Sequence, residues 1–412
     1  MWCFTPLFAA LRAPLKEVVL TPSRFISSLK TWSVALSAKM TPLLHQWGWG
    51  FWREAQGVAK VRERLATFTL ALIAALVFKA LNSPLPWMIG PILVVSVASM
   101  AGLPTRSWKP LRNSGQFVIA MALGLYFNPQ IGAEILQLWW VILLSIVWAL
   151  TVGAVFGVVL YRTHRHHIPD LTLSTCFFSG AIGGASEMTL LAEKEHGRTD
   201  LVAAAHSLRV LVIAIVIPFT LKTLGYQRPA FMTLAKDVSL TGLMELALLS
   251  GVGVWLLKRW GRSNPWFLGA LLVSMGLSLS GIHLSAVPTW MSNWAQMFLG
   301  VSLGVRFTSE FIKMAPKWLF SVGLGSLALI VLCALFAYLT AMLTGVPTLT
   351  MILGTAPGGI AEMAITAKVL QLDVPLVTSL QVCRLLAVLV LVEPLYRFWD
   401  HWWGEGREAN RQ

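Results

Sequence analysis

The chain has 412 residues, 56% of them hydrophobic and only 12% charged, with a mean hydropathy of +0.70; a soluble globular enzyme carries charge on about a quarter of its residues, so that class is excluded. The composition is that of a polytopic membrane protein, because apolar stretches long enough to cross roughly 30 Å of hydrocarbon recur from Ala66 onward. Lys and Arg number 32 against 18 Asp and Glu, a net charge of +14, and their placement reads as loop charge that orients spans in a bilayer rather than as a nucleic-acid surface.

Residues 1–65 hold nine basic side chains against Glu17, Glu54 and Glu63, scattered among aromatics. They read as a basic cytoplasmic tail, since a cleavable signal peptide would place a compact apolar block after an early positive cluster. From Ala66 the apolar pattern predicts helical segments near 66–82, 85–103, 113–128, 132–161, 171–196 and 198–222, then 238–258, 264–284, 291–308, 314–343, 347–371 and 373–399. The expected organisation is a tail over 1–65, one membrane repeat over 66–225, a second over 238–399 and a C-terminal tail over 400–412.

The two sets of six are one pattern repeated. Pro86-Trp87-Met88-Ile89-Gly90 returns as Pro265-Trp266-Phe267-Leu268-Gly269, and Leu123-Gly124-Leu125-Tyr126-Phe127 as Leu303-Gly304-Val305-Arg306-Phe307, with Gln116 matching Gln296. Gly183-Gly184-Ala185-Ser186-Glu187-Met188 returns as Gly358-Gly359-Ile360-Ala361-Glu362-Met363, and Arg209 matches Arg384 in the same register. Internal duplication in a membrane chain marks transporters built from related halves. Loop charge then tests the span count. With twelve full crossings the inner loops carry eight basic residues and the outer loops ten, which violates the positive-inside rule; if 171–196 and 347–371 enter and return on one side, the counts become thirteen and five. That arrangement makes the second half inverted relative to the first, with both termini inside.

A glycine pair within an apolar helix costs roughly 1 kcal/mol per residue in helix propensity, so Gly183-Gly184 and Gly358-Gly359 mark places where the backbone unwinds or is closely approached. Such backbone survives at membrane depth only inside protein or along a cavity. Glu187 and Glu362 stand three residues past the second glycine and Arg209 and Arg384 another 22 on; ionisable groups in apolar spans point to an ion or substrate path. Two readings follow. Each glutamate sits at the third position of a helix capped by Gly184 or Gly359, or each pairs with its arginine in the low dielectric. The candidate substrate- or ion-binding set is Gly183, Gly184, Glu187, Met188 and Arg209, their counterparts Gly358, Gly359, Glu362, Met363 and Arg384, and Gln116 with Gln296. His164, His166 and His167 beside Arg162 and Arg165 read as a charged membrane-edge anchor, and Trp87, Trp139, Trp140, Trp266, Trp402 and Trp403 as interface belts.

These paired elements, Ala181-Ile182-Gly183-Gly184-Ala185-Ser186-Glu187-Met188 and Thr355-Ala356-Pro357-Gly358-Gly359-Ile360-Ala361-Glu362-Met363 with the arginines that follow, resemble the AbrB family of bacterial integral membrane proteins over about Ala66 to Trp399. The resemblance implies a regulatory role by the family's name, monooxygenase activity on ammonia by another of its labels, and, through likeness to cation:proton antiporters and anion transporters, inverted repeats with broken helices. The expected fold is therefore an all-α membrane protein of two inverted repeats, and the expected function a secondary transporter of the inner membrane, with regulation of gene expression as the alternative. Enzyme activity is not expected, because the histidines and the unclustered cysteines Cys3, Cys176, Cys333 and Cys383 offer no ligand cluster. Neither cofactor nor metal is expected. The partners are the lipid bilayer, an unidentified small molecule or ion and potentially a second copy of the chain, with no direct nucleic-acid contact.

Overall fold

A computed structural model describes residues 60–168, 171–223, 238–261 and 264–408; the basic tail over 1–65 lies almost wholly outside them. Packing divides the chain into Met1–Arg62 and Glu63–Gln412, and the second unit holds the helices described below. The described residues are helical, with no strand among them. α1 covers residues 63–80 of a helix that begins at residue 60. In chain order follow α2 (Pro86–Met100), α3 (Lys109–Gly124), α4 (Pro129–Gln137), α5 (Trp139–His164), α6 (Leu173–Gly180), α7 (Ala185–Lys194) and α8 (Thr199–Thr223). Then come α9 (Leu240–Arg259), α10 (Pro265–Leu279), α11 (Thr289–Gly304), α12 (Ser309–Met314), α13 (Pro316–Thr344), α14 (Thr348–Thr355), α15 (Ile360–Val369) and α16 (Val374–Glu408).

Local chemistry explains the boundaries. α2 and α10 both start at a proline, whose fixed φ suits the first helical position, and both follow a residue in the left-handed region, Leu85 (φ 49°) and Asn264 (φ 50°). Asn128 caps α4 by accepting from the Ile131 N–H at 2.8 Å, and Thr308 caps α12 through the Phe311 N–H at 3.2 Å. The segment expected over 132–161 divides in two where Leu138 leaves the helical region, and α4, with no buried residue, lies on the surface. The segment expected over 314–343 is α13 almost residue for residue, and α12 precedes it as a separate short helix because Pro316 clashes with a helical Ala315, which sits at φ −156°, ψ 73°. The C-terminal stretch expected as a tail continues α16 as far as Glu408.

Among the described residues five helices are long and apolar enough to cross a membrane: Trp139–His164, Thr199–Thr223, Leu240–Arg259, Pro316–Thr344 and Val374–Trp399. Their outward faces are apolar, with Phe320, Leu324, Val331, Leu335 and Leu343 of α13 all more than half exposed, as a surface bathed in lipid requires. Trp139 and Trp140 are exposed as well, whereas Trp87 and Trp266 pack against Trp294 and Phe117. Cys176 and Cys333 are buried, Cys383 is half-buried, and all three are free thiols.

The helices pack in two groups. In one, α2 lies on α11, α3 on α10 and α11, and α9 on α10, through small residues that let backbones approach: a Cβ on Gly300 would stand 2.7 Å from the Met88 carbonyl, and one on Gly115 2.9 Å from that of Ala295. In the other, α5 packs on α6 and α16, and α13 on α14 and α8. Here Gly180 of α6 meets Gly153 and Gly157 of α5 backbone to backbone, and Phe156 fills the dent at Gly325.

The glycine-pair segments are helical hairpins. The Arg198 N–H, just past α7, donates to Thr175 Oγ1 at the start of α6 at 2.8 Å, and Gly197 rests on Ser174, so the chain leaves the first hairpin at the end where it entered. Cysteines placed at Thr172 and His196 should accordingly react with an impermeant maleimide from the same membrane face; labelling from opposite faces would refute the hairpin.

Candidate functional site

Both hairpins break in the same way. α6 ends at Ala181 (φ −53°, ψ 135°) and α7 is capped by Gly184 (φ −69°, ψ 137°); α14 ends at Ala356 (φ −54°, ψ 137°) and α15 is capped by Gly359 (φ −75°, ψ 148°). None of the four glycines has a positive φ. They are needed for space instead. A Cβ on Gly184 would run into the Glu187 carboxylate and one on Gly359 into that of Glu362, while Gly183 packs against Met188 and Val388 and Gly358 against Ile213 and Met363. Each glutamate thus folds back over its own N-cap glycine, where the free N–H groups and the positive end of the half-helix dipole favour a carboxylate. Met188 and Met363, both fully buried, plug the hairpins behind the glycines.

The expected Glu–Arg pairs do not form. No cationic nitrogen of the described residues lies within 4.0 Å of Glu187 or Glu362. The arginines serve the opposite helix ends, where carbonyls are left without intrahelical partners and the dipole favours a cation. From α8, Arg209 Nη1 donates to the carbonyls of Ser179 (3.3 Å) and Gly180 (3.1 Å), and Nη2 to that of Ala181 (2.8 Å). From α16, Arg384 Nη1 donates to Thr355 (3.4 Å) and Ala356 (2.6 Å), and Nη2 to Gly358 (3.2 Å). Both side chains are buried. The physical reason is proximity: six carbonyls at the breaks stand within reach of the two guanidinium forks, and each glutamate is already satisfied by its own helix terminus.

One helical turn before each arginine stands a side chain that was not in the candidate set. His206 bonds through Nε2 to the Phe178 carbonyl at 2.8 Å and through Nδ1 to Arg209 Nη2 at 2.8 Å; since the carbonyl only accepts and the guanidinium only donates, the proton resides on Nε2. Gln381 repeats this logic, its Nε2 donating to Leu353 (2.7 Å) and Ala356 (3.1 Å) while its Oε1 accepts from Arg384 at 2.6 Å. Imidazole and carboxamide are interchangeable here because each offers one donor and one acceptor. Their i, i+3 spacing to the arginine was the available signal. Another residue outside the set is Arg306, just past α11, whose charge acts on Glu362 and is itself opposed by Arg112.

The two breaks are neighbours, since Gly183 packs against Val388 of α16, the helix that carries Arg384, and Gly358 against Ile213 of α8, the helix that carries Arg209. Gln296 is buried and Gln116 half-buried; they follow Gly115 and Ala295, where α3 and α11 cross, and no hydrogen bond joins either of them to the hairpin tips. The tips differ in their surroundings. α15 packs on α3 and α8, and Glu362 is 9% exposed; α7 has no comparable packing on α11, Ser186 is exposed and Glu187 half-buried.

The profile of a family described as "Transition state regulatory protein AbrB" matches residues 87–400. The chain belongs to the AbrB family. It is 27% identical over 353 residues to "Uncharacterized protein YhjN" of Bacillus subtilis (strain 168), covering 78% of this chain and 89% of the relative. It is 25% identical over 339 residues to "Putative regulator AbrB" of Escherichia coli (strain K12), covering 80% and 94%. The span matched by the AbrB profile takes in both hairpins, with their glycine pairs, the glutamates and the arginines.

Proposed function

We propose that this chain is a secondary transporter of a small molecule or ion, without a catalytic step of its own, built from two inverted halves in the inner membrane with both termini cytoplasmic. The observation that carries the reading is the pair of broken hairpins, with unpaired carboxylates at one set of helix ends and arginines at the other, in a chain of apolar spanning helices. Helices of 15, 16, 8 and 10 residues recur in the same order in both halves, as duplication implies, and discontinuous helices facing each other are where carriers hold their substrates. The unequal tips support the same reading. A carrier caught in one access state holds one of two equivalent sites open and the other shut, and Glu187 and Glu362 differ in that sense.

The test is uptake or solid-supported membrane current in proteoliposomes screened against organic acids, amines and inorganic ions, with imposed proton and sodium gradients. Expected is a gradient-driven signal that Glu187→Gln and Glu362→Gln each abolish while folded yield is kept. A protein whose signal is unaffected by both substitutions does not transport through these hairpins. The name of the Escherichia coli relative favours a regulatory reading, and removal of residues 1–59 separates the two: a transport core keeps its current, whereas a regulator working through the basic tail loses its output.

A further inference from the structure

Where the last turn of α5 meets the first turn of α13, outside the hairpins, lies a cavity of about 470 Å³ lined by Thr163, His164, His167, Lys317, Phe320 and Ser321. Its floor is His164, only 4% exposed. The ring packs edge-on against Trp318, 5.5 Å between centroids, and its Nε2 stands 2.8 Å from Ser321 Oγ. Its Nδ1 is buried with no hydrogen-bond partner among the described residues, although a buried ring nitrogen without a partner is costly. His167 and Lys317 are exposed at the rim, close enough to act on the charge of the ring, and neither enters an ion pair with a described residue. Among the described residues no carboxylate lines the cavity.

We propose that this cavity binds the phosphate headgroup of an anionic phospholipid. If the Ser321 hydroxyl donates to Nε2, the proton of the neutral imidazole sits on Nδ1, and a shift of the ring that opens this buried atom to the cavity presents its N–H to a phosphate oxygen. Lys317 and His167 supply the countercharge at the rim. The lipid, rather than free phosphate, is the occupant because α5 and α13 are both of membrane-crossing length, which sets their ends at headgroup depth, and because Phe320, 72% exposed beside the cations, offers an apolar surface for the glycerol and upper acyl chain. Basic pockets between spanning helices are established sites for such headgroups. The proposal is independent of transport.

The test uses the full-length protein purified in a non-ionic detergent, titrated with phosphatidylglycerol, phosphatidylcholine or inorganic phosphate, and read by thermal unfolding and by native mass spectrometry of retained lipid. Expected is a saturable rise in Tm and retention of phosphatidylglycerol only, with apparent affinity falling at least tenfold in the Lys317→Gln, His167→Gln double variant. Lys317→Arg, which keeps the charge, and Lys79→Gln, which removes one elsewhere, should both bind as the unaltered protein does. Equal shifts with phosphatidylcholine, an equal saturable shift with inorganic phosphate, or unchanged affinity in the double variant would each overturn the proposal.

Discussion

Replacing Arg209 with methionine is expected to cost about 3–5 kcal/mol of stability, because it strands three hairpin carbonyls and the Nδ1 of His206 in a buried environment. Arg384→Met should behave alike, leaving Thr355, Gly358 and the Gln381 Oε1 without their donor and Ala356 with that of Gln381 alone. The readout is folded yield and thermal unfolding in detergent. By contrast, Glu187→Gln and Glu362→Gln remove a carboxylate that no cation touches and should cost no more than about 1 kcal/mol of helix-end interaction. Because the arginine and glutamate of each half are not partners, the cycle Glu187→Gln with Arg209→Gln should be additive to within about 0.5 kcal/mol. A coupling of 2 kcal/mol or more, well above that additivity limit, would mean that the two groups pair directly and that the carbonyl clamp is not their main role.

Gly180→Ala should be nearly as damaging. A methyl group there overlaps the Gly153 carbonyl oxygen and the Gly157 nitrogen, all backbone, so no side chain can swing aside; overpacking that displaces main chain exceeds the usual range of about 1–3 kcal/mol. Gly251→Ala and Gly276→Ala, in helix interiors with nothing within 4 Å of the new methyl, should instead stabilise by roughly 0.5–1 kcal/mol through helix propensity. Folded yield measured side by side distinguishes them. If Gly180→Ala is as stable as Gly251→Ala, α5 and α6 are not in backbone contact.

Much of this architecture was legible because its signals are local. The proline starts of α2 and α10, the glycine breaks and the capping position of Glu187 and Glu362 all depend on residues adjacent in sequence. The expected ends of α8 and α9 fall within two residues of those observed. What escaped was three-dimensional. Glutamate and arginine 22 residues apart in apolar helices suggest an ion pair when charge alone is considered, yet backbone carbonyls freed at a helix break are competing acceptors whose position emerges only once α8 and α16 pack behind the hairpins. The charge at Arg306 is likewise brought to Glu362 by the packing of α15 on α3 and by the crossing of α11, and its sequence context was a loop.

The clamp has a dynamic corollary. Each guanidinium donates through its Nη atoms to carbonyls of its own hairpin, and each carboxylate lies over its own helix terminus, so no ion pair of the described residues bridges the two halves at the breaks. Were the charges instead joined across them, sliding one past the other would pull opposite charges apart in a medium of low dielectric, a barrier of several kcal/mol. With no opposite charges joined across the breaks, a displacement of one half against the other would separate no ion pair there, and what resists it is the apolar packing of α2 on α11, α3 on α10 and α15 on α3.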